Sequence, residues 1–226
     1  MLDSFPGGVE EVDGGFAVYT DDAGERTLRE RFDVTSESFA EGWEEAWREF
    51  HHGVVVGRFW IGPPWEEATD EVEAVVIDPG RAFGTGAHAT TRLTLELLQK
   101  LEPGSLLDVG CGSGVLSIAA GRLGFRPIVA VDIDEDAVGI ARANAKVNGV
   151  ELDAYRADAL ADELPTVDVV VANVALDVVE RLLPLLDSRL AITSGYLERD
   201  DPKVSGWRRI DRSDREGWAA DLYERT

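Results

Sequence analysis

Between Leu106 and Asp132 the chain carries a pattern that few folds accommodate. A short apolar run, Leu106-Leu107-Asp108-Val109, enters Gly110-Cys111-Gly112-Ser113-Gly114, with glycine at every second position. Helix-forming residues follow at once (Val115, Leu116, Ile118, Ala119, Ala120), and a second apolar strand, Ile128-Val129-Ala130-Val131, ends on Asp132. A strand, a glycine loop and a helix in that order open a nucleotide-binding α/β fold. Glycine is needed in the loop because a Cβ would hold the backbone away from the ligand. A carboxylate at the end of the second strand can accept both hydroxyls of a ribose. Together these features predict an adenosine-containing cofactor.

The glycine spacing discriminates between cofactors. A dinucleotide fingerprint wants GxGxxG, with the pyrophosphate at the helix N-terminus. Here the glycines fall at 110, 112 and 114, and Val115 stands where the third fingerprint glycine belongs. The pattern resembles the GxGxG loop of S-adenosylmethionine (SAM)-dependent methyltransferases. Two other readings stay open: a structural βα turn that binds nothing, and an NAD site with an unusual loop.

Charge narrows the partners. The 226 residues carry a formal net charge of −22. Such a surface repels phosphate backbones, so direct nucleic-acid binding is not expected, and a basic protein substrate fits better. The acidity also fits adaptation to a saline cytoplasm. Lys100, Lys146 and Lys203 are the only lysines, which reads as genome composition or habitat rather than function. The first residues lack the basic and apolar regions of a signal peptide, and no apolar run is long enough to span a bilayer. Cys111 is the only cysteine, which suits a reducing compartment. The expectation is a cytoplasmic protein with no membrane association.

Along the chain, Phe16–Tyr19 reads as a strand and Asp21–Gly24 as a turn. A helix is expected from about Ser36 to Phe50, with Phe39, Trp43, Trp47 and Phe50 at helical spacing as a packing face or a substrate groove. Val54–Val56 and Phe59–Ile61 form a strand pair or one bent strand, stopped by Pro63-Pro64. Glu73–Ile77 is a strand, and a helix with Leu93, Leu97, Leu98 and Leu101 on one face follows. Asp134 caps a helix that Asn148-Gly149 ends. Strands are expected near 152–155, 167–172 and 190–193, with two short ones around 207–210 and 218–222. Strands alternating with helices imply a mostly parallel sheet covered on both faces, with ligands at the carboxyl ends of the strands. Gly110, Asp132, Asp158 and Asn173 all fall at or just past such ends.

A second motif, Asp78-Pro79-Gly80-Arg81-Ala82-Phe83-Gly84-Thr85-Gly86-Ala87-His88-Ala89-Thr90-Thr91, lies between a strand and a helix, where it can fold as a lid. Its threonines can cap the helix or bond the ligand's carboxylate. His88 is as readily a satisfied loop histidine as a catalytic one. Taken with Asp-Val-Gly-Cys-Gly-Ser-Gly, Val-Asp-Ile-Asp and Val-Val-Ala-Asn, the motif resembles the bacterial ribosomal protein methyltransferases (PrmA-like). That family uses SAM to methylate amines of large-subunit ribosomal protein eleven. The resemblance covers about residues 36–226. It implies a Rossmann-like, seven-stranded class I methyltransferase sheet, mostly parallel with an antiparallel edge, at residues 61–226. Residues 1–60 would form a reduced N-terminal α/β module and linker helix.

The family's cofactor contacts fall on Thr91, Gly110, Asp132 and Asn173, with Phe83 and Gly84 closing over the cofactor. Gly112 belongs to the same loop, and Asp158 is either an acceptor for the adenine amine or a solvated loop acid. Asn173 is the expected catalytic residue: an amide cannot act as a base, but its carbonyl can accept from an incoming amine and aim its lone pair. Asp108 reads as structural, bonding the glycine loop, and nothing near Cys111 marks it as a nucleophile. No metal is expected, because no zinc-like Cys/His spacing occurs.

Two departures from the family pattern stand out. Asn173-Val174-Ala175-Leu176 replaces the usual Asn-Ile-Leu. Residues 1–35 are too few for the family's complete N-terminal domain, so recognition is reduced, or the substrate differs, or the start is annotated late. The competing functions are methylation of another amine, a non-catalytic SAM-binding module, and an NAD-dependent oxidoreductase. Oligomeric state is not readable.

Overall fold

The computed structural model describes residues 9–12, 15–18, 28–29, 34, 52–68, 72–78 and 86–226. The chain divides into two compact units, Met1–Phe50 and His51–Thr226. The second begins ahead of the expected boundary at residue 60, because the strand pair of residues 54–62 belongs to it.

In the first unit, β1 (Val9–Val12) and β2 (Gly15–Val18) pair antiparallel, with Val12 opposite Gly15. β2 is the strand read from Phe16; its partner β1 was not read. The expected turn at 21–24 and helix at 36–50 lie outside the described residues.

The second unit opens with a three-stranded sheet. β3 (Val54–Val56) pairs antiparallel with β4 (Phe59–Gly62), which pairs parallel with β5 (Glu73–Val76). Then come α1 (Ala89–Leu98), β6 (Leu106–Val109), α2 (Val115–Leu123), β7 (Ile128–Asp132), α3 (Glu135–Val147), β8 (Asp153–Arg156), β9 (Val167–Asn173) and α4 (Leu176–Leu182). After a 3-10 turn, Leu183–Leu185, three long strands finish the unit: β10 (Ser188–Leu197), β11 (Trp207–Arg215) and β12 (Trp218–Arg225).

These strands build one seven-stranded sheet in the order β11-β12-β10-β9-β6-β7-β8. From β10 to β8 every pairing is parallel, and only β12 runs antiparallel to its two neighbours. The central strands read as continuous apolar runs because both faces are covered. One face packs Leu106, Ile128, Val169 and Ile192 against Leu93, Leu97 and Ile118 of α1 and α2, and β3–β5 join this layer through Val56, Phe59 and Ile61. The other face packs Leu107, Val109, Val170 and Tyr196 against Val179, Leu182 and Leu183. That second layer is thin: α4 is its one helix among the described residues, and the connection from β10 to β11, residues 198–206, contains none. Among the described residues no helix is long and apolar enough to cross a membrane.

The strand order reverses beside β6. Its right-hand neighbour in sequence, β7, lies on one side, and the chain returns as β9 on the other, so a crevice opens at the carboxyl end between them.

Candidate active site

The glycine loop leaves β6 into this crevice. Gly110 (φ 70), Gly112 (φ 51) and Gly114 (φ 81) are all left-handed, and Gly114 caps α2. Gly110 and Cys111 donate their N–H groups to Val131 O at 2.8 and 3.1 Å, fixing the loop to the end of β7. At Gly110 an added Cβ would lie 2.6 Å from Val174 Cγ1, so any side chain would push against the segment after β9.

Asp132 ends β7 and organises what surrounds it. Oδ2 accepts the Gly112 N–H and Oδ1 the Asp134 N–H, each at 3.0 Å. Each oxygen has a second lone pair for a ligand hydroxyl. The next residue, Ile133, is 63% exposed, an apolar face beside a carboxylate at the mouth of the crevice. Asp134 caps α3 by accepting from Asp136 N–H at 2.9 Å, as its sequence position implied.

Asp108 is fully buried below the loop. It does not bond the glycines; Oδ2 takes the N–H and hydroxyl of Ser117, at 3.1 and 2.6 Å, in the first turn of α2. Oδ1 is buried with no hydrogen-bond partner among the described residues. Burial, with a smaller contribution from Asp132, raises this carboxyl to about 6 against the opposing Ser117 bonds. Burial also pushes the Cys111 thiol far up, with Asp108 and Asp132 adding to it, so Cys111 is no thiolate at neutral pH.

On the other side of the crevice, β9 ends at Asn173 and faces the start of α1. His88 is the N-cap: its Nδ1 accepts the Thr90 N–H at 3.3 Å. The sequence offered the threonines for this role, or for bonding a ligand's carboxylate; the histidine takes it. Because Nδ1 is an acceptor there, it carries no proton, and the Thr90 hydroxyl 2.7 Å away donates to it as well. Thr90 Oγ1 then has only acceptor capacity left. Asn173 must therefore present its Nδ2 to Thr90 at 3.2 Å, with Thr91 Oγ1 at 3.5 Å. The carbonyl oxygen is left on the opposite arm of the amide, the arm Asn173 can offer to an incoming group. Burial, then the charge of Arg92, lowers the His88 imidazole below its ordinary value, while Glu216 opposes this, so the ring stays neutral.

A cavity of about 290 Å³ adjoins this relay. Its walls include His88, Thr90 and Asn173, with Ala175, Gly195 and Trp218. Trp218 meets the His88 ring edge-on, centroids 5.0 Å apart. Gly195 (φ 99) leaves room for the Val174 backbone, whose oxygen would lie 2.3 Å from a Cβ there.

The residues singled out in the sequence therefore meet in part. Gly110, Gly112 and Asp132 form one wall; Thr91 and Asn173 form the other. Asp158 lies on an exposed turn just past β8, where its Oδ1 accepts the Leu160 N–H at 3.0 Å. Phe83 and Gly84 lie outside the described residues. Ile133, Gly195 and Trp218 were missed as site residues. Ile133 had a signal, an apolar residue directly after the strand-end acid Asp132; Trp218 arrives from β12 and had none. The arrangement fits SAM: a glycine loop closed to a Cβ at Gly110, a carboxylate with lone pairs to spare, and an apolar face beside it.

Comparison with known proteins agrees with this geometry. The family model described as ribosomal protein L11 methyltransferase (PrmA) matches residues 16–223. A ribosomal protein L11 methyltransferase from Caldicellulosiruptor bescii is 42% identical over 172 residues, covering 72% of this chain and 57% of the relative. One from Caldanaerobacter subterraneus subsp. tengcongensis is 41% identical, covering 72% and 56%. The chain thus spans little more than half the length of these curated relatives. The crystal structure of ribosomal protein L11 methylase from Lactobacillus delbrueckii subsp. bulgaricus superposes with a TM-score of 0.70 at 28% identity, over 77% of this chain and 98% of that one. By sequence and by fold, the chain belongs to the ribosomal protein L11 methyltransferase (PrmA) family.

Proposed function

We propose that this protein is a SAM-dependent N-methyltransferase that methylates lysine or N-terminal amines of ribosomal protein L11, in the cytoplasm. The observation that carries the reading is the relay from His88 through Thr90 to Asn173, which turns the Asn173 carbonyl away from the threonines beside an aromatic-walled cavity. A purely structural strand end has no need of an amide held in one orientation.

SAM supplies a sulfonium-activated methyl group. In the reading offered here, Asp132 accepts the two ribose hydroxyls, Ile133 lies against the adenine, and Asp158 accepts from the adenine amine. Gly110 and Gly112 would let the cofactor's tail approach the loop, with Thr91 across the crevice, and the family resemblance adds Phe83 and Gly84 as cofactor contacts. Asn173 accepts an N–H of the incoming amine and directs its lone pair along the transfer line, and Trp218 and His88 exclude water. Alignment of this kind supplies several kcal/mol of rate acceleration. A lysine must also shed a proton, which at neutral pH costs roughly 4–5 kcal/mol from an ordinary pKa of about 10.4. A partly desolvated cavity beside a positive sulfur lowers that cost.

Cofactor binding and transfer are assigned to the unit that carries residues 61–226, and substrate recognition to the module before it. A basic protein is drawn to a chain of net charge −22. One alternative is transfer to a different amine by the same site. Intact-mass spectrometry of unmethylated L11, incubated with this protein and SAM, tests the reading. Mass added in methyl steps supports it; SAM binding without any added mass moves the substrate to another amine.

A further inference from the structure

Two buried asparagines of α3, Asn144 and Asn148, stand one helical turn apart and grip backbone rather than side chains. Asn148 Oδ1 accepts the Val76 N–H at 2.9 Å, and its Nδ2 donates to Val76 O at 2.6 Å. Two residues on, Asn144 Oδ1 accepts the Asp78 N–H and its Nδ2 donates to Asp78 O, both at 3.0 Å. Alternate residues each exchanging two hydrogen bonds is the pattern an antiparallel strand would make. The helix stands in for a strand at the exit of β5, where the chain enters the segment leading to His88, Thr90 and Thr91.

The two asparagines differ in one bond. Asn148 Nδ2 also donates to Asn144 O, within its own helix, at 2.8 Å. Asn144 Nδ2 also donates to Ser113 O, inside the glycine loop, at 3.0 Å. Both grip the exit of β5, but only Asn144 reaches the loop whose Gly112 is fastened to Asp132.

We propose that Asn144 is a positioning residue that locks the Gly110–Gly114 loop to the chain leaving β5 at Asp78, so that one carboxamide fixes the loop that forms one wall of the cofactor site. It acts through Ser113 and Asp78. Only a neutral amide can do this here: a carboxylate has no hydrogens to donate, and an aliphatic side chain neither donates nor accepts. The part that concerns affinity rests on the SAM reading above.

The test compares Asn144→Ala with Asn148→Ala in the full chain. Both should lower Tm, since each strips partners from buried backbone groups. In cofactor-free protein, hydrogen exchange should speed up in Asn144→Ala at residues 76–78 and at 110–114. In Asn148→Ala it should speed up at 76–78 alone. By calorimetry, Asn144→Ala should weaken SAM binding about ten-fold or more, while Asn148→Ala leaves it within about two-fold. If Asn144→Ala does not fold, Asn144→Leu, which fills the same volume without the bonds, replaces it. Unchanged exchange at 110–114 in the Asn144 variant, or an equal rise there in the Asn148 variant, overturns the proposal. If wild-type protein binds no SAM, the functional reading falls and the exchange experiment alone decides this one.

Discussion

The Thr90 hydroxyl sits 2.7 Å from His88 Nδ1 and 3.2 Å from Asn173 Nδ2, so one hydroxyl hands the helix cap's polarity to the residue at the end of β9. Thr90→Val keeps the shape and removes the relay. The Asn173 amide then loses the contact that fixes its orientation. The expected result is a fall in kcat of about a hundred-fold, the scale of a misplaced reacting group, with SAM affinity little changed. Steady-state kinetics with calorimetry checks this; a loss confined to SAM affinity would make the threonine a cofactor contact only.

Asp132→Ala should be the most damaging change to cofactor binding. It removes the proposed ribose acceptor and also strands the Gly112 and Asp134 N–H groups. SAM affinity should drop by about a hundred-fold or more, since hydrogen bonds to charged groups are the strong ones. Unchanged affinity in calorimetry would sink the ribose assignment.

Asp108 makes stability depend on pH. Its folded-state value of about 6 lies above the ordinary carboxyl value of 3.8. The native state therefore holds a proton between these values that the unfolded chain releases. The stability this contributes is complete below the lower value and lost as pH rises through the upper one. Asp108→Asn keeps an acceptor for Ser117 and never ionises. At about pH 8 its unfolding free energy should exceed that of wild type by on the order of 3 kcal/mol, with a correspondingly higher Tm. The two proteins should converge toward pH 4. Thermal melts across that range decide it, and parallel curves would refute the assignment.

Gly195→Ala should disturb the cavity through the backbone. Its Cβ would lie 2.3 Å from Val174 O, next to Asn173, at φ 99. Gly149 is also left-handed (φ 64) but has nothing within 4 Å of a Cβ. Gly149→Ala should cost only the conformational strain, about 1–2 kcal/mol. Gly195→Ala should cost more and lower kcat as well. Equal losses of Tm and unaltered kcat would mean the Val174 backbone yields freely.

What could be read from the sequence was local. The Gly110–Gly114 loop, Asp132, and the Asp134 and Asn148-Gly149 ends of α3 declared themselves within a few residues, because turn and cap chemistry is short-range. Strands β10 to β12 proved longer than expected. β11 alternates Arg208, Arg209, Asp211 and Arg212 along an edge that water can reach, which hides the apolar pattern. Pairings across long stretches of sequence were invisible. Asn148 was read only as the end of its helix and Asn144 was not singled out, since their partners Val76 and Asp78 lie 72 and 66 positions earlier. His88 was open between two roles until the register of α1 made it the cap.

Helix α1 carries Thr90 and Thr91 but rests on β10, β12 and β11, and Arg92 is bonded to Glu216, 124 positions away. On a ribosome the helix emerges long before its floor exists. The glycine loop and Asp132, built from neighbouring stretches, can assemble early in synthesis, whereas the threonines cannot be seated until β12 is made. A nascent chain would thus acquire the glycine loop and its acid well before Thr90 and Thr91 are seated, and the proposed methyl transfer would wait until the final hairpin docks.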